Sequence, residues 1–354
     1  MSESNSTPSH SEKPAKARRP RARKTDASAQ NNTKTATPRE TAAQKSAPAA
    51  SEPPKWTAIV NPKSGSAGDD FKERVEAALQ ARGVNYEILE TDPENGGREV
   101  AQKAVREGAT HILACGGDGT IMSVVNGIAR EVAEDEDDTR AILSIVPGGT
   151  ANLLAAALEI PKDLDKALEI AINGTDKTID LGCCDDQFFA LGLGLGLTER
   201  LVSQASAQQK EKLGKLAYVV AMFREIGAKP VTFSFKLDKR ASKRAKGVAI
   251  VVANSGTIGG KLHFAPRARM DDGYLDLCIL HRFRIRDAFR LIFRSLLGNM
   301  PQDRAVSFYQ AKRIEIRSNP PLDLQIDGEV VDLKTPLVVE VVKNALRVRV
   351  PRES

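Results

Sequence analysis

From Trp56 onward the apolar positions follow two rhythms. Short, mostly apolar runs, WTAIV (56–60), HILAC (111–115) and AILSIV (141–146), have the length and composition of strands buried on both faces. Between them apolar residues recur at helical spacing, with Phe71, Val75, Ala78 and Leu79 on one side of a helix over 70–82. NYEILE predicts a further strand, and 97–107, 120–130 and 150–158 further helices. Strands and helices alternating in units of about 30 residues predict a parallel sheet with right-handed crossovers.

After residue 177 the rhythm changes to period two. TIDLGCC, QFFALGL, PVTFSFKL, GVAIVVANS, GYLDLCIL, RIEIRS, LDLQID and LVVEVV read as short strands between turns. Two helical stretches, 199–227 and 285–298, interrupt them. The fold class is therefore α/β with two domains: an N-terminal α/β parallel-sheet domain over 56–177 and a C-terminal antiparallel β-sandwich over 178–354. The last strand is free to return to the first domain. A ligand is expected in the cleft between the two.

Composition changes this picture mainly at the N-terminus. Residues 1–55 contain no Leu, Ile, Val, Phe, Tyr or Trp, and hold 11 Lys and Arg against 5 Asp and Glu. Such a segment buries too little apolar surface to offset its ordering entropy, so a disordered basic tail is expected. It accounts for the whole net charge of +6, leaving the body neutral. Its basic run from Lys16 to Lys24 suits nucleic acid or anionic lipid, and equally a solvated tail with no partner. The acidic stretch from Glu134 to Asp138 reads as an exposed loop. The cysteines, Cys115, Cys183, Cys184 and Cys278, lack metal-ligand spacing and read as small buried apolar residues in a reducing compartment. No apolar run is long enough to span a membrane and no signal-peptide core is present, so a cytoplasmic protein is expected.

Candidate chemistry sits at the ends of strands. Gly116-Gly117-Asp118-Gly119-Thr120 follows HILAC and opens a helix: the glycines admit close backbone approach, and the helix start offers unpaired N–H groups to phosphate. Asp118 would repel a bare phosphate, so it either holds Mg²⁺ or orients donors. Pro147-Gly148-Gly149-Thr150-Ala151-Asn152 and Asn61-Pro62-Lys63-Ser64-Gly65 end two further strands of the same sheet. Ligands of open α/β sheets bind outside those ends. Late in the chain come Gly259-Gly260, Ala265-Pro266, Met270-Asp271-Asp272-Gly273-Tyr274 and Asp327-Gly328-Glu329, whose Asp-Gly pairs are also tight hairpin turns.

In this order the set resembles the bacterial diacylglycerol kinase-like lipid kinases, which share a catalytic domain with sphingosine and diacylglycerol kinases. The resemblance spans about residues 56–350 and implies a first domain like that of NAD kinases and phosphofructokinases. It implies a site for ATP at Asn61, Thr91, the Gly116, Gly117, Asp118, Gly119, Thr120, Ile121 and Met122 loop, and Thr150. It implies Mg²⁺ in the second domain on Asp272, with the carbonyls of Arg269 and Tyr274. Glu329 would be the general base that takes the proton of the attacking hydroxyl, alongside Asp118 in the catalytic set. The sequence departs from the family pattern at Met122 and Ser123, where Asn and Glu are usual, and at Leu153, Leu191 and Thr198.

A kinase acting on lipid must meet a bilayer. Residues 282–298 and 209–227 combine basic and apolar residues in a way that suits either a membrane surface or ordinary packing on the β domain. The expected partner is a lipid substrate at the inner membrane face through peripheral contact, with no specific nucleic acid; a homodimer is left open. Two alternatives remain: a catalytically weak nucleotide or lipid sensor, suggested by Met122 and Ser123, and an NAD kinase-like enzyme, suggested by GGDGT but opposed by the late DGE.

Overall fold

A computed structural model describes residues 55–62, 68–91, 96–134, 141–196, 230–258, 262–263, 265–281 and 305–352. The basic tail, Lys63 to Gly65, most of the acidic stretch, Thr198, both helical segments after 199 and Gly259-Gly260 lie outside the described residues.

The first half runs β1 (Trp56–Val60), α1 (Phe71–Ala81), β2 (Tyr86–Glu90), α2 (Arg98–Arg106), β3 (His111–Gly116), α3 (Asp118–Glu134), β4 (Ile142–Pro147), α4 (Leu153–Ala157) and α5 (Leu164–Asn173). The four strands are parallel, in the order β2-β1-β3-β4. Every residue of β1 and β4 is buried, Thr57 and Ser144 included, as predominantly apolar strands of a parallel sheet require. Helix α1 buries Phe71, Val75 and Leu79, the positions its spacing marked.

Three helices differ from expectation. The helix expected over 120–130 starts earlier and ends later, at Asp118 and Glu134. The one expected over 150–158 shrinks to Leu153–Ala157, because Asn152 is left-handed (φ 51°) and ends the preceding turn. Helix α5 was not expected; its start is marked by Asp163, whose carboxylate accepts the Lys166 N–H, and it buries Ala167, Leu168 and Ala171.

The second half is β5 (Thr175–Cys184), β6 (Gln187–Phe189), β7 (Gly192–Leu195), β8 (Val231–Leu237), β9 (Lys243–Gly247), β10 (Ala249–Ala253), β11 (Thr257–Ile258), β12 (Leu262–His263), β13 (Leu275–Leu280), β14 (Val306–Ala311), β15 (Arg313–Asn319), β16 (Asp323–Ile326), β17 (Glu329–Lys334) and β18 (Leu337–Val350). Strand β18 joins the halves. It pairs in parallel with β4 through Arg347 and Val348, antiparallel with β5 along most of its length, and antiparallel with β15 at its start. The parallel sheet thus continues through β18 into β15, β8 and β9 as one ten-stranded sheet.

A second, antiparallel sheet, β14-β13-β10-β7-β16-β17, lies over this extension. Phe233, Phe235, Ile314 and Val339 from the first sheet share one core with Leu193, Ile250, Leu277 and Leu324 from the second. This is the expected sandwich, one of whose layers is built from the same sheet as the α/β half. None of the four cysteines is disulfide-bonded.

Candidate active site

The strand order β2-β1-β3-β4 places a topological switch between β1 and β3, with a crevice outside their carboxyl ends. Backbone pairing continues just past those ends and fixes the loops there. The Asn61 N–H donates to the Cys115 carbonyl (3.0 Å), that of Thr91 to Val60 (3.0 Å) and that of Gly148 to Gly116 (2.7 Å). Across the crevice Asn61 Nδ2 donates to Thr120 Oγ1 at 3.0 Å. Asn61, Thr91, Gly116 and Thr120 therefore converge at one end of the sheet.

The two glycine loops touch. A Cβ added to Gly149 would lie 2.6 Å from Gly117 Cα, so no larger residue fits that approach. Asp118 locks them together: its carboxylate accepts the N–H groups of Asn152 (2.7 Å) and Leu153 (2.5 Å) at the start of α4. Each Asp118 oxygen thus accepts one backbone N–H, an arrangement in keeping with the donor-orienting role. The first-turn N–H groups of α3, at Gly119 and Thr120, lie at the positive end of a 17-residue helix.

Glu329 arrives from the other sheet. Asp327 and Gly328 both have positive φ (48° and 92°), and Ile326 pairs with Glu329, so the DG pair is a two-residue hairpin turn between β16 and β17. The Asp327 carboxylate anchors that turn by accepting the N–H groups of Ala190 (2.8 Å), Leu191 (2.9 Å) and Gly192 (2.8 Å). Burial pushes the Asp327 carboxyl up to about 6 against the pull of those three donors, with the nearby Asp118 charge acting in the same direction as burial. The turn delivers the Glu329 carboxylate to the first turn of α3: Oε1 lies 2.7 Å from where a Cβ on Gly119 would stand.

Around this contact is a cavity of about 470 Å³, with Arg98, Asp118, Gly119, Met122, Asn126 and Glu329 among its walls. Three participants were not read from the sequence. Asn126 is buried and grips β6 edge-on, donating to the Phe188 carbonyl (3.0 Å) and accepting the Phe188 N–H (2.9 Å). Arg98 donates to Gln187 Oε1 at 2.9 Å. Asp327 was seen only as part of a turn. For Asn126 the one sequence signal is its place on the face of Asp118 and Met122, four residues on from each step.

The remaining expected residues divide. The Ile121 side chain is fully buried in the core and its N–H donates to the Gly117 carbonyl (3.0 Å). Thr150 lines a second cavity of about 320 Å³ with Phe71, Arg74 and Lys162, away from Glu329. Met122 and Ser123 both line the main cavity, and Ser123 also accepts the Gly97 N–H (2.8 Å) at the start of α2.

Asp272, with Arg269 and Tyr274, forms the turn into β13. Its carboxylate accepts the Tyr274 N–H (2.9 Å) and Gln310 Nε2 (3.1 Å). Burial, then the charges of Asp180 and Asp271, raise it above the usual carboxylate range. Burial and Asp272 likewise push Asp276 up to about 6. This excess of negative charge fits a divalent cation. No group of three or more His, Cys, Asp or Glu is placed to hold one among the described residues, so carbonyls would have to complete the shell.

Residues 55–184 match the family model for the diacylglycerol kinase catalytic domain, and residues 195–350 match that of the YegS C-terminal NAD kinase beta sandwich-like domain. A diacylglycerol kinase of Bacillus subtilis is 29% identical over 276 residues, covering 77% of this chain and 88% of that protein. A diacylglycerol kinase of Staphylococcus aureus (strain MRSA252) is 28% identical over 275 residues, covering 77% and 84%. A crystal structure of a diacylglycerol kinase from Bacillus anthracis superposes with a TM-score of 0.70 at 25% identity, covering 84% of this chain and 96% of the other.

Proposed function

Because the chain belongs to the diacylglycerol kinase-like lipid kinases, phosphotransferases with an alcohol group as acceptor, we propose that it transfers the γ-phosphate of ATP to a hydroxyl of a diacylglycerol-like or sphingoid lipid. The observation that carries this reading is the placement of Glu329 against Gly119. A carboxylate from the sandwich meets the amino-terminal turn of α3 in an open cavity, where a hydroxyl and a triphosphate can be brought together.

The acceptor oxygen attacks the γ-phosphorus while Glu329 takes its proton, and ADP leaves with the bond to its β-phosphate oxygen broken. The first-turn N–H groups of α3 supply fixed donors for the charge on the phosphoryl oxygens. Asn61 and Thr120 hold the crevice edge for the nucleotide, and Asp118 keeps the two glycine loops at a constant separation. Asp272, with the Arg269 and Tyr274 carbonyls, would hold Mg²⁺, which there neutralises the neighbouring carboxylates. No helix among the described residues is long and apolar enough to cross a membrane.

Incubating the purified chain with labelled ATP, Mg²⁺ and a panel of diacylglycerol, sphingoid base, ceramide and phosphatidylglycerol tests the reading. Label in at least one lipid is expected; no labelled lipid with any of them would end it.

A further inference from the structure

We propose that the β8–β9 hairpin and the solvent face of β15 form a docking surface for anionic lipid bilayers. The turn and edge strand read KRASKRAK over 239–246, five cations in eight residues with no acid among them. Lys239, Arg240, Lys243, Arg244 and Lys246 are all exposed. Register adds a sixth cation. Arg244 pairs with Ser234, and Ser234 pairs with Arg317, so the two guanidinium-bearing residues share the outer face, two strand spacings or about 9–10 Å apart. The position between them carries only a hydroxyl, and Thr232 on the same face is also short, so the long basic side chains reach beyond their neighbours.

The neighbouring acids do not neutralise this surface. Asp238 Oδ1 accepts the N–H groups of Lys312 (2.9 Å) and Arg313 (3.1 Å) and is spent on the backbone. Glu315 pairs with Lys236 at 3.4 Å. Lys243 lies over the Tyr309 ring, 5.0 Å from its centre. A sheet edge is ordinarily guarded against self-pairing by a lysine or two. Five cations in the turn and edge strand, with a sixth two strands further in, exceed that need in a body whose net charge is zero outside residues 1–55. A flat array of uncompensated cations is complementary to a plane of phosphates, and basic residues near an anionic bilayer are worth about a fivefold gain in partition each.

The charge argument is independent of the kinase reading, whereas the choice of a bilayer over other polyanions rests on it. The test uses the full chain, so the basic tail contributes equally throughout. Co-sedimentation is measured, without ATP or acceptor, on vesicles of phosphatidylcholine alone and of equal parts phosphatidylcholine and phosphatidylglycerol. Replacing Lys239, Arg240, Arg244 and Lys246 by Gln is expected to weaken partition onto the anionic vesicles about tenfold or more. Swapping Lys and Arg at the same four positions should preserve it. Equal partition of the Gln variant and the parent overturns the proposal. So does a Gln variant that loses only duplex DNA binding. A parent that binds through these residues yet phosphorylates no lipid refutes the kinase reading alone. Lipid phosphorylation by a parent whose Gln variant still binds normally removes the surface alone.

Discussion

Glu329 opens strand β17 and Gly119 lies in the first turn of α3, 210 residues earlier in the chain, yet the carboxylate Oε1 stands 2.7 Å from the position of a Cβ on Gly119. The atom in the way is the end of a flexible side chain, so Gly119→Ala should fold normally and turn Glu329 aside. Its melting temperature should match the parent's, while lipid phosphorylation falls by about 100-fold, the usual effect of a misplacement near 1 Å. Unchanged turnover in a folded Gly119→Ala protein would show that this contact is incidental.

In the proposed reading the nucleotide sits beside the bridge from Asn61 to Thr120 across the crevice. Asn61→Ala removes the donor and leaves the Thr120 hydroxyl without that partner. The KM for ATP should rise about tenfold, the worth of one hydrogen bond to a charged or positioned group, with little change in the KM for lipid. Initial rates at varied ATP and fixed lipid check it.

Asp327 links pH to stability. Its folded-state pKa of about 6 lies above the ordinary value of 3.8, so the folded chain holds its proton more tightly than the unfolded chain. Stability from this group is therefore complete below 3.8 and is lost as pH rises through about 6. Asp327→Asn, which also loses acceptors for three N–H groups, should be less stable by about 1–3 kcal/mol at low pH. The gap to the parent should narrow as pH rises from 4 to about 6. Urea midpoints for both proteins across that range decide; a constant gap contradicts the assignment.

Ser123 serves the fold. Its hydroxyl caps α2 through the Gly97 N–H, and a Cβ on Gly96 would fall 2.8 Å from that oxygen. Ser123→Glu should cost about 1 kcal/mol of stability through the lost cap and should not raise turnover. Thermal unfolding and the lipid assay measured on one preparation test both halves.

Much of this was legible in the sequence because it is local. The buried strands β1, β3 and β4 are predominantly apolar runs, and the three loops after β1, β3 and β4 announce themselves by Gly, Pro and Asn. The Asp327-Gly328 turn has the one dipeptide chemistry that suits two positive φ angles. What escaped depends on distance in space. Strand β9 is written in Lys and Arg because it is a solvated edge, so no alternation of apolar residues marks it. Ile121 sits inside a glycine-rich phosphate-loop pattern, but helical phase turns it into the core. Asn126, Arg98 and Asp327 gain their roles from β6, Gln187 and Ala190–Gly192, partners 62 to 137 residues away that no local pattern could reveal.

The account stands most directly on Glu329 as the base, and one pair of measurements on Glu329→Gln examines it. The variant should bind ATP with the affinity of the parent by calorimetry, since the amide keeps the size of the side chain and the nucleotide contacts lie on other loops. Its transfer of label from ATP to the lipid that the parent uses should fall to background. Transfer at the parental rate by a protein carrying Gln at that position would contradict the account.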